Sequence, residues 1–244
     1  MKLSAIVITL NEEKNIGSCL ASLSLADELL VIDSGSTDAT VSIARSSGAK
    51  VFVHAFSDFA SQRNFALEQA TGDWILFVDA DETVTPELTE EIRSLLDQNP
   101  KPCLYKLPRH TYFLGHLLRF GDSRNDAPIR LFPRNHVAWT QPVHETVSSD
   151  LPCGSLKNVL LHYSTRDWNH YQEKIRLYIP LELVTMRKKE IQASLANILM
   201  RPAARFFSVY FLNLGVLDGF AGLQYATLSA YYTFLKHWLY LKSK

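Results

Sequence analysis

The chain has 244 residues, enough for one sizeable α/β domain with an appendage or for two small domains, and its 47% hydrophobic content is ordinary for a packed core. Its formal charge is zero, yet residues 1–100 carry 16 acidic and 6 basic side chains while residues 187–244 carry 2 and 8. An acidic front excludes a nucleic-acid groove there, because phosphate backbones need cationic surface, whereas a basic aromatic tail suits the anionic face of a membrane. Cys19, Cys103 and Cys153 have no CxxC spacing and form an odd set, which argues against a disulfide scaffold or zinc knot and for reduced, buried or half-buried thiols.

Residues 3–10 form a short apolar, partly β-branched run that leads into Asn11-Glu12-Glu13 without a cleavage-like site. We read them as a first strand rather than a signal peptide, and the expected compartment is cytoplasmic. Ile16, Cys19, Leu20 and Leu23 recur at helical spacing. Residues 28–33 read as a second strand ending in Asp33, and the turn Ser34-Gly35-Ser36-Thr37-Asp38 offers Thr37 or Asp38 as the cap of a second helix. Gly48 closes that helix before a third strand over 49–54. A helix over 59–70 carries Gln62-Arg63-Asn64, then Gly72 and Asp73 turn the chain into the apolar run 74–78, which releases Asp79 and Asp81. Pro86 begins a helix running to about Leu96, with acidic residues in its first turn.

Strand, helix, strand, helix in this order predicts a mostly parallel central sheet with right-handed crossovers and a ligand site along the carboxyl ends of its strands. After Pro100, short strands are expected over 104–108, 129–132 and 156–163. Residues 167 to about 199 read as helical, with Pro180 as a kink or boundary. Residues 202–240 are apolar and aromatic but interrupted by Asn213, Asp218 and three glycines, so they read as one or two interfacial helices rimmed by Arg201, Arg205, Lys236, Lys242 and Lys244. The alternative is that these aromatics pack on the globular domain or on a sister subunit.

The chemistry starts from Asp79 and Asp81. If both were extended they would share one face of their strand, aimed at a single divalent cation. Asp33 ends a neighbouring strand, where a carboxylate can accept from a nucleobase or ribose; alternatively it and its turn form only a helix cap. The glycines match neither GxGxxG nor GxxxxGK[ST], which disfavours a dinucleotide site and a Walker-type loop and leaves a metal-held nucleotide diphosphate. Arg109, Arg119, Arg124, Arg130 and Arg134 gather in one connection, as phosphate ligands or as a solvated rim. Trp139 stacks on a sugar face or packs in the core.

Four segments, Ile6-Val7-Ile8-Thr9-Leu10-Asn11-Glu12, Val31-Ile32-Asp33-Ser34-Gly35-Ser36-Thr37-Asp38, Gln62-Arg63-Asn64 and Val78-Asp79-Ala80-Asp81-Glu82, resemble the successive motifs of family 2 inverting glycosyltransferases of the GT-A fold. Arg130-Leu131-Phe132, Pro142-Val143-His144-Glu145 and Leu161-His162-Tyr163 resemble the bacterial lipopolysaccharide inner-core β-1,4-glucosyltransferase branch. The general likeness spans about residues 3–165. It implies a GT-A catalytic domain over 1–165 that binds nucleotide sugar and acceptor, and a helical region over 166–244. It also implies that Thr9, Asn11, Glu12, Asp33 and Arg63 bind the donor, that Asp79 and Asp81 grip its diphosphate through Mg²⁺ or Mn²⁺, and that His162 is a further metal ligand. Many relatives carry an acidic pair where this chain has His144-Glu145; Glu145 then matches the catalytic base, with His144 orienting it or contacting the acceptor. The donor implied is UDP-glucose and the acceptor a lipid-linked, heptose-containing core glycan at the inner leaflet, with a homo-oligomer possible. Another inverting transfer, of galactose or rhamnose, and a non-catalytic sugar-binding protein of the same fold are the alternatives.

Overall fold

The apolar runs at residues 3–9, 28–33 and 74–79 become strands buried on both faces. The computed structural model describes residues 1–140, 146–191 and 194–243. The chain divides into two units, Met1–Arg109 with Ala127–His162 and His110–Asp126 with Tyr163–Lys244. The second therefore takes in His110–Asp126 as well as the region expected after residue 165.

In the first unit the elements run β1 (Leu3–Thr9), α1 (Ile16–Ala21), β2 (Glu28–Asp33), α2 (Thr40–Ser46), β3 (Lys50–Val53), α3 (Phe59–Gln69), β4 (Trp74–Asp79), β5 (Glu82–Val84), α4 (Pro86–Asp97) and β6 (Leu104–Lys106). After β7 (Arg109–Phe113) and β8 (His116–Leu118), the chain continues through β9 (Ile129–Pro133), β10 (Ala138–Thr140), β11 (Thr146–Ser148), β12 (Cys153–Ser155) and β13 (Leu160–Thr165). The seven-stranded sheet has the order β12-β6-β9-β4-β1-β2-β3. Its β4-β1-β2-β3 half is parallel, as expected, and β9 is antiparallel to both β4 and β6.

Period-two alternation splits the strand residues between two cores. Leu3, Ala5 and Val7 of β1, Val31 of β2 and Trp74, Leu76 and Val78 of β4 pack with α1 and α4. Ile6, Leu30, Ile32, Ile75 and Phe77 pack on the other face with Ala60 and Ala66 of α3 and with Phe132 and Trp139. Sequence signals set the helix ends: Asp58 accepts from the Ser61 amide at 2.8 Å to start α3, and Thr85 with Pro86 behind it starts α4. The α2 cap differs from either expected residue, because Ala39 sits at the N-cap position and Asp38, one residue earlier, accepts from the Thr40 amide at 3.0 Å.

Glu28, buried at the start of β2, ties the far end of the sheet together. It accepts from Ser4 Oγ at 2.6 Å, Lys50 Nζ at 2.9 Å and the Thr71 amide at 2.9 Å. Burial alone would raise its carboxyl, but the bonds from Ser4, Lys50 and Thr71 outweigh it and hold the group down at about 2, against an ordinary 4.5. A folded value below the unfolded one gives stability that is fully present above about 4.5 and lost as pH falls toward about 2. The linkage is worth roughly 3 kcal/mol. Glu28→Gln should flatten the acid limb of the stability profile in that window, measured by urea unfolding; an acid limb as steep as that of the unsubstituted protein would remove Glu28 as its source.

In the second unit, β7 and β8 form a hairpin, and three helices follow: α5 (Trp168–Lys188), α6 (Leu195–Phe207) and α7 (Gly219–Lys242). Pro180, expected to kink or end its helix, lies inside α5 on an exposed position, where water can satisfy the carbonyl that proline leaves without a donor. Phe113 packs edge-on against Tyr171 and Tyr225, and the Tyr171 hydroxyl donates to the Leu228 carbonyl at 2.8 Å. Arg205 and Lys236, expected on a basic rim, are instead paired within the unit. Arg205 bonds Asp122 and Ser229, and Lys236 lies 3.2 Å from Glu182. Among the described residues no single helix is long and apolar enough to cross a membrane, although α6 with the turn to Leu212 and the segment from Gly215 through α7 qualify together as a pair bent by 72°.

Candidate active site

The parallel registers Thr9↔Asp33 and Ile8↔Asp79 bring the carboxyl ends of β2, β1 and β4 side by side. Asp33 and Asp79 are then two strand spacings apart, roughly 10 Å. Thr9 and Asp33 continue the strand rows that face α1, while Asp79 continues the row that faces α3.

The loops after β1 and β2 are bonded into one body. Asp33 folds back on its own turn, accepting from the Gly35 and Ser36 amides at 2.9 and 2.8 Å and from Ser36 Oγ at 2.5 Å. Gly35, at φ +98°, supplies the left-handed step that lets this turn close. Asn11 donates its amide to Ser36 Oγ at 2.8 Å and accepts from the Thr37 amide at 2.8 Å; the Glu12 amide reaches Thr40 Oγ1 at 2.8 Å. Thr9 Oγ1 is buried beside them without a hydrogen-bond partner in the described structure. Asp33 thus spends most of its acceptor capacity rigidifying the wall that a ligand would meet.

At the end of β4, Asp79 and Asp81 do not share a strand face, because the strand stops at Asp79 and Asp81 lies in the turn before β5. Asp79 is held by arginines. Arg130 grips both of its oxygens, one at 3.2 Å, and Arg63 of α3 approaches at 3.4 Å. Burial would raise the Asp79 carboxyl, but the Arg130 and Arg63 charges hold it well below the usual carboxylate range. Arg130 is also 2.9 Å from Glu82, a fully buried carboxylate that accepts from Arg109 at 2.8 Å and from the Asp79 amide at 2.9 Å. Arg130 is 3% exposed, so the rim reading fails for it: the antiparallel register Leu76↔Leu131 draws it alongside β4, where two carboxylates compensate its burial. Three guanidiniums meet the carboxylates of Asp79 and Glu82 with Asp81 in the same turn, so the arginines balance the acids and leave no excess charge of either sign.

The motif on α3 addresses three places at once. Gln62 donates to Ser34 Oγ at 2.9 Å, Arg63 stacks 4.6 Å over Trp139, and Asn64 exchanges two 2.9 Å bonds with the Trp139 backbone. Trp139 takes the core alternative, packed against Phe77 and Phe132. Arg134 donates to the Ala70 carbonyl at 3.2 Å, and Arg119 belongs to the second unit.

Asp81 faces His162, with Oδ2 and Nε2 3.3 Å apart, because β5 and β13 pair with His162↔Glu82 in register. His162 Nδ1 is buried without a hydrogen-bond partner in the described structure. A divalent cation fits this donor set: neighbouring ligands of an octahedral Mg²⁺ or Mn²⁺ lie about 3 Å apart, and such ions take one or two protein groups and complete the shell with phosphate and water. Among the described residues no group of three or more His, Cys, Asp or Glu could chelate an ion unaided. Asp81 and His162 would hold it, with Asp79 engaged by Arg130 beside them. His144 and Glu145 lie outside the described residues; the strands on either side, β10 and β11, pair antiparallel at Thr140↔Thr146. Sequence reasoning missed Glu82 and the burial of Arg130; the acid in Asp81-Glu82 was visible, its partners were not. Of the three cysteines, all free, Cys19 is buried, Cys103 half-buried and Cys153 exposed.

Residues 4–142, more than half of the chain, match the family model Glycosyl transferase family 2, and the protein belongs to that family. Its architecture, an α/β GT-A-like fold with a mixed central sheet and a helical C-terminal extension, is the one the sequence motifs implied. It is 28% identical to the lipopolysaccharide core biosynthesis glycosyltransferase LpsC of Rhizobium meliloti (strain 1021), covering 97% of this chain and 93% of that one. Among solved structures it is similar to S. aureus TarS 1-349, with 18% identity, 100% and 92% coverage and a TM-score of 0.46. It is also similar to glucosyl-3-phosphoglycerate synthase from Mycobacterium tuberculosis, with 29% identity and a TM-score of 0.39. That match covers 47% of this chain and 44% of the solved one.

Proposed function

We propose that the protein is an inverting, cation-assisted hexosyltransferase that moves a sugar from a UDP-sugar to a lipid-linked glycan at the inner face of the cytoplasmic membrane. The observation that carries it is the pairing of Asp81 with His162 next to the arginine-held Asp79, one strand from the rigid loop of Asn11 and two from that of Asp33. In this reading Thr9, Asn11, Glu12 and Asp33 receive the nucleoside, Arg63 contacts the donor, and Arg63, Arg109 and Arg130 offset the acids of the turn beside the diphosphate. A bound cation would neutralise charge that develops on the departing UDP. Glu145 takes the proton of the acceptor hydroxyl as it attacks the anomeric carbon from the face opposite UDP, and His144 orients Glu145. One carboxylate on the acceptor side suffices because no covalent sugar intermediate forms.

The finer reading is transfer of glucose from UDP-glucose to a heptose of the lipopolysaccharide inner core. It is supported by the Pro142-Val143-His144-Glu145 and Leu161-His162-Tyr163 segments and by the near full-length likeness to a lipopolysaccharide core glycosyltransferase. Donors such as galactose or rhamnose remain the alternative. A panel of UDP-sugars offered with heptose-containing truncated core lipids, the linkage read by NMR, should give β-linked glucose on heptose; turnover from another donor would favour the alternative, and none from any donor the non-catalytic binder.

Asp81→Ala should weaken binding of UDP with Mn²⁺ roughly tenfold or more in calorimetry, the scale expected when a metal site loses a supporting group. Unchanged affinity would contradict the assignment of Asp81.

A further inference from the structure

The hairpin of β7 and β8 and the end of β13 border a cavity of about 320 Å³ whose lining residues all belong to the second unit. Tyr112, Gly115, Tyr163, Thr165 and Arg166 line it, and none of them is among the donor, cation or base residues above. The volume lies near the lower end of the range for small-molecule sites, enough for one sugar ring with a substituent.

Hydrogen bonds fix its walls. The two-residue turn Leu114-Gly115, at φ +49° and +79°, closes the hairpin, and the Leu114 amide donates to the Thr165 carbonyl at 2.6 Å. Ser164 Oγ donates to the Tyr112 carbonyl at 3.3 Å, and β7 and β13 are neighbours in one sheet. Tyr112 and Tyr163 therefore stand side by side, their ring centroids 5.0 Å apart and their planes 14° from parallel. A Cβ at Gly115 would meet nothing within 4 Å, so the rim is open there.

Arg166 gives the cavity its polarity. Its Nε is buried without a hydrogen-bond partner, and among the described residues no carboxylate pairs with its guanidinium. The neighbouring Asp167 is engaged elsewhere, capping α5 by accepting from the His170 amide at 2.9 Å. A buried donor left unmatched is costly, and a planar guanidinium is met best by a phosphate or a carboxylate. The two tyrosines add an aromatic wall of the kind that packs on the C–H face of a sugar. Because they already stack on each other, no gap remains between them for a nucleobase. We infer that this cavity binds a saccharide unit bearing a phosphate or carboxylate, its ring against Tyr112 and Tyr163 and its anionic group on Arg166. The inference deepens the proposed function and rests on it only in taking that unit to belong to the acceptor glycan.

The test uses the full chain, first without donor. In ligand-detected NMR titrations, glucose 6-phosphate or glucuronate, the tighter of the two naming the anionic group, should bind roughly tenfold or more tightly than glucose or inorganic phosphate, because ring and anion are held together. Arg166→Gln should remove that advantage while leaving the circular dichroism and the affinity for UDP with Mn²⁺ unchanged. Arg166→Lys, which keeps the charge but loses the planar fork, should retain part of it, and Tyr112→Leu should weaken both sugar acids. Inorganic phosphate binding as tightly as glucose 6-phosphate and glucuronate, sugar-acid binding indifferent to Arg166→Gln, or displacement of the sugar acids by UDP with Mn²⁺ would each overturn the site. With acceptor present, Arg166→Gln should raise the KM for a truncated core lipid that carries sugar phosphates or uronates and leave that for UDP-glucose unchanged. Sugar-acid binding in a protein that turns over no donor would uphold the cavity and overturn the proposed function; turnover with an unchanged acceptor KM in Arg166→Gln would uphold the function and overturn this use of the cavity.

Discussion

Arg130→Met should lower stability by about 3 kcal/mol, the low end of what breaking a buried charge pair costs. The low end applies because each abandoned carboxylate keeps a partner: Asp79 retains Arg63 at 3.4 Å and has a third of its side chain in water, and Glu82 retains Arg109 at 2.8 Å. For a chain of this size that is a fall in Tm of roughly 6–12 °C. Adding Asp79→Asn to Arg130→Met should cost much less than the two single changes summed, since the second removes a charge the first has stranded. Because Arg130 holds the Asp79 carboxyl below its usual range, part of the stability exists only above that range and is lost on acidification; the variant should show less of this acid-labile part. A Tm shift within about 2 °C would mean that the cluster does not hold β4 and β9 together.

Glu145→Gln should cut turnover roughly 100-fold or more while leaving affinity for UDP with Mn²⁺ unchanged, the signature of a lost general base rather than a lost binding group. Glu145 is covalently joined to Thr146, the first residue of β11, which pairs with β10, and β10 is fixed to Asn64 of α3 by two 2.9 Å bonds through Trp139. β10 is therefore held by the same helix whose Arg63 meets Asp79. The glutamine variant should also lose the acid limb of its pH–rate profile, whereas His144→Ala, which on the proposed reading removes an orienting group, should retain a displaced limb and more of the rate. Near-normal turnover in Glu145→Gln would reject Glu145 as the base.

Much of the site's framework is legible in the chain because it rests on local rules. The run 74–78 reads as a buried strand from its apolar content, and an acid at its end falls at the carboxyl edge of a parallel sheet whatever the distant residues do. Asp33 was equally visible, but its turn, with Gly35 at positive φ, decides that its oxygens first serve Gly35 and Ser36. The short strands β5, β10 and β11 were missed, since three residues carry no usable periodicity and owe their existence to the strands they pair with. The aromatic tail was recognised as unusual, yet which of its cations face solvent depended on Asp122 and Glu182, carboxylates contributed by other segments of the second unit.

The sequence by itself determined the parallel strand–helix core, the acids at its carboxyl edge and the family, because periodicity, caps and short motifs act over neighbouring residues. Tertiary structure alone decided that Asp79 belongs to Arg130 and Asp81 to His162. Those partners are separated by dozens of residues, and an antiparallel pairing in each case, β4 with β9 and β5 with β13, brings them within bonding distance. A buried arginine or histidine has no local signature, since what permits its burial is a carboxylate delivered from elsewhere in the chain.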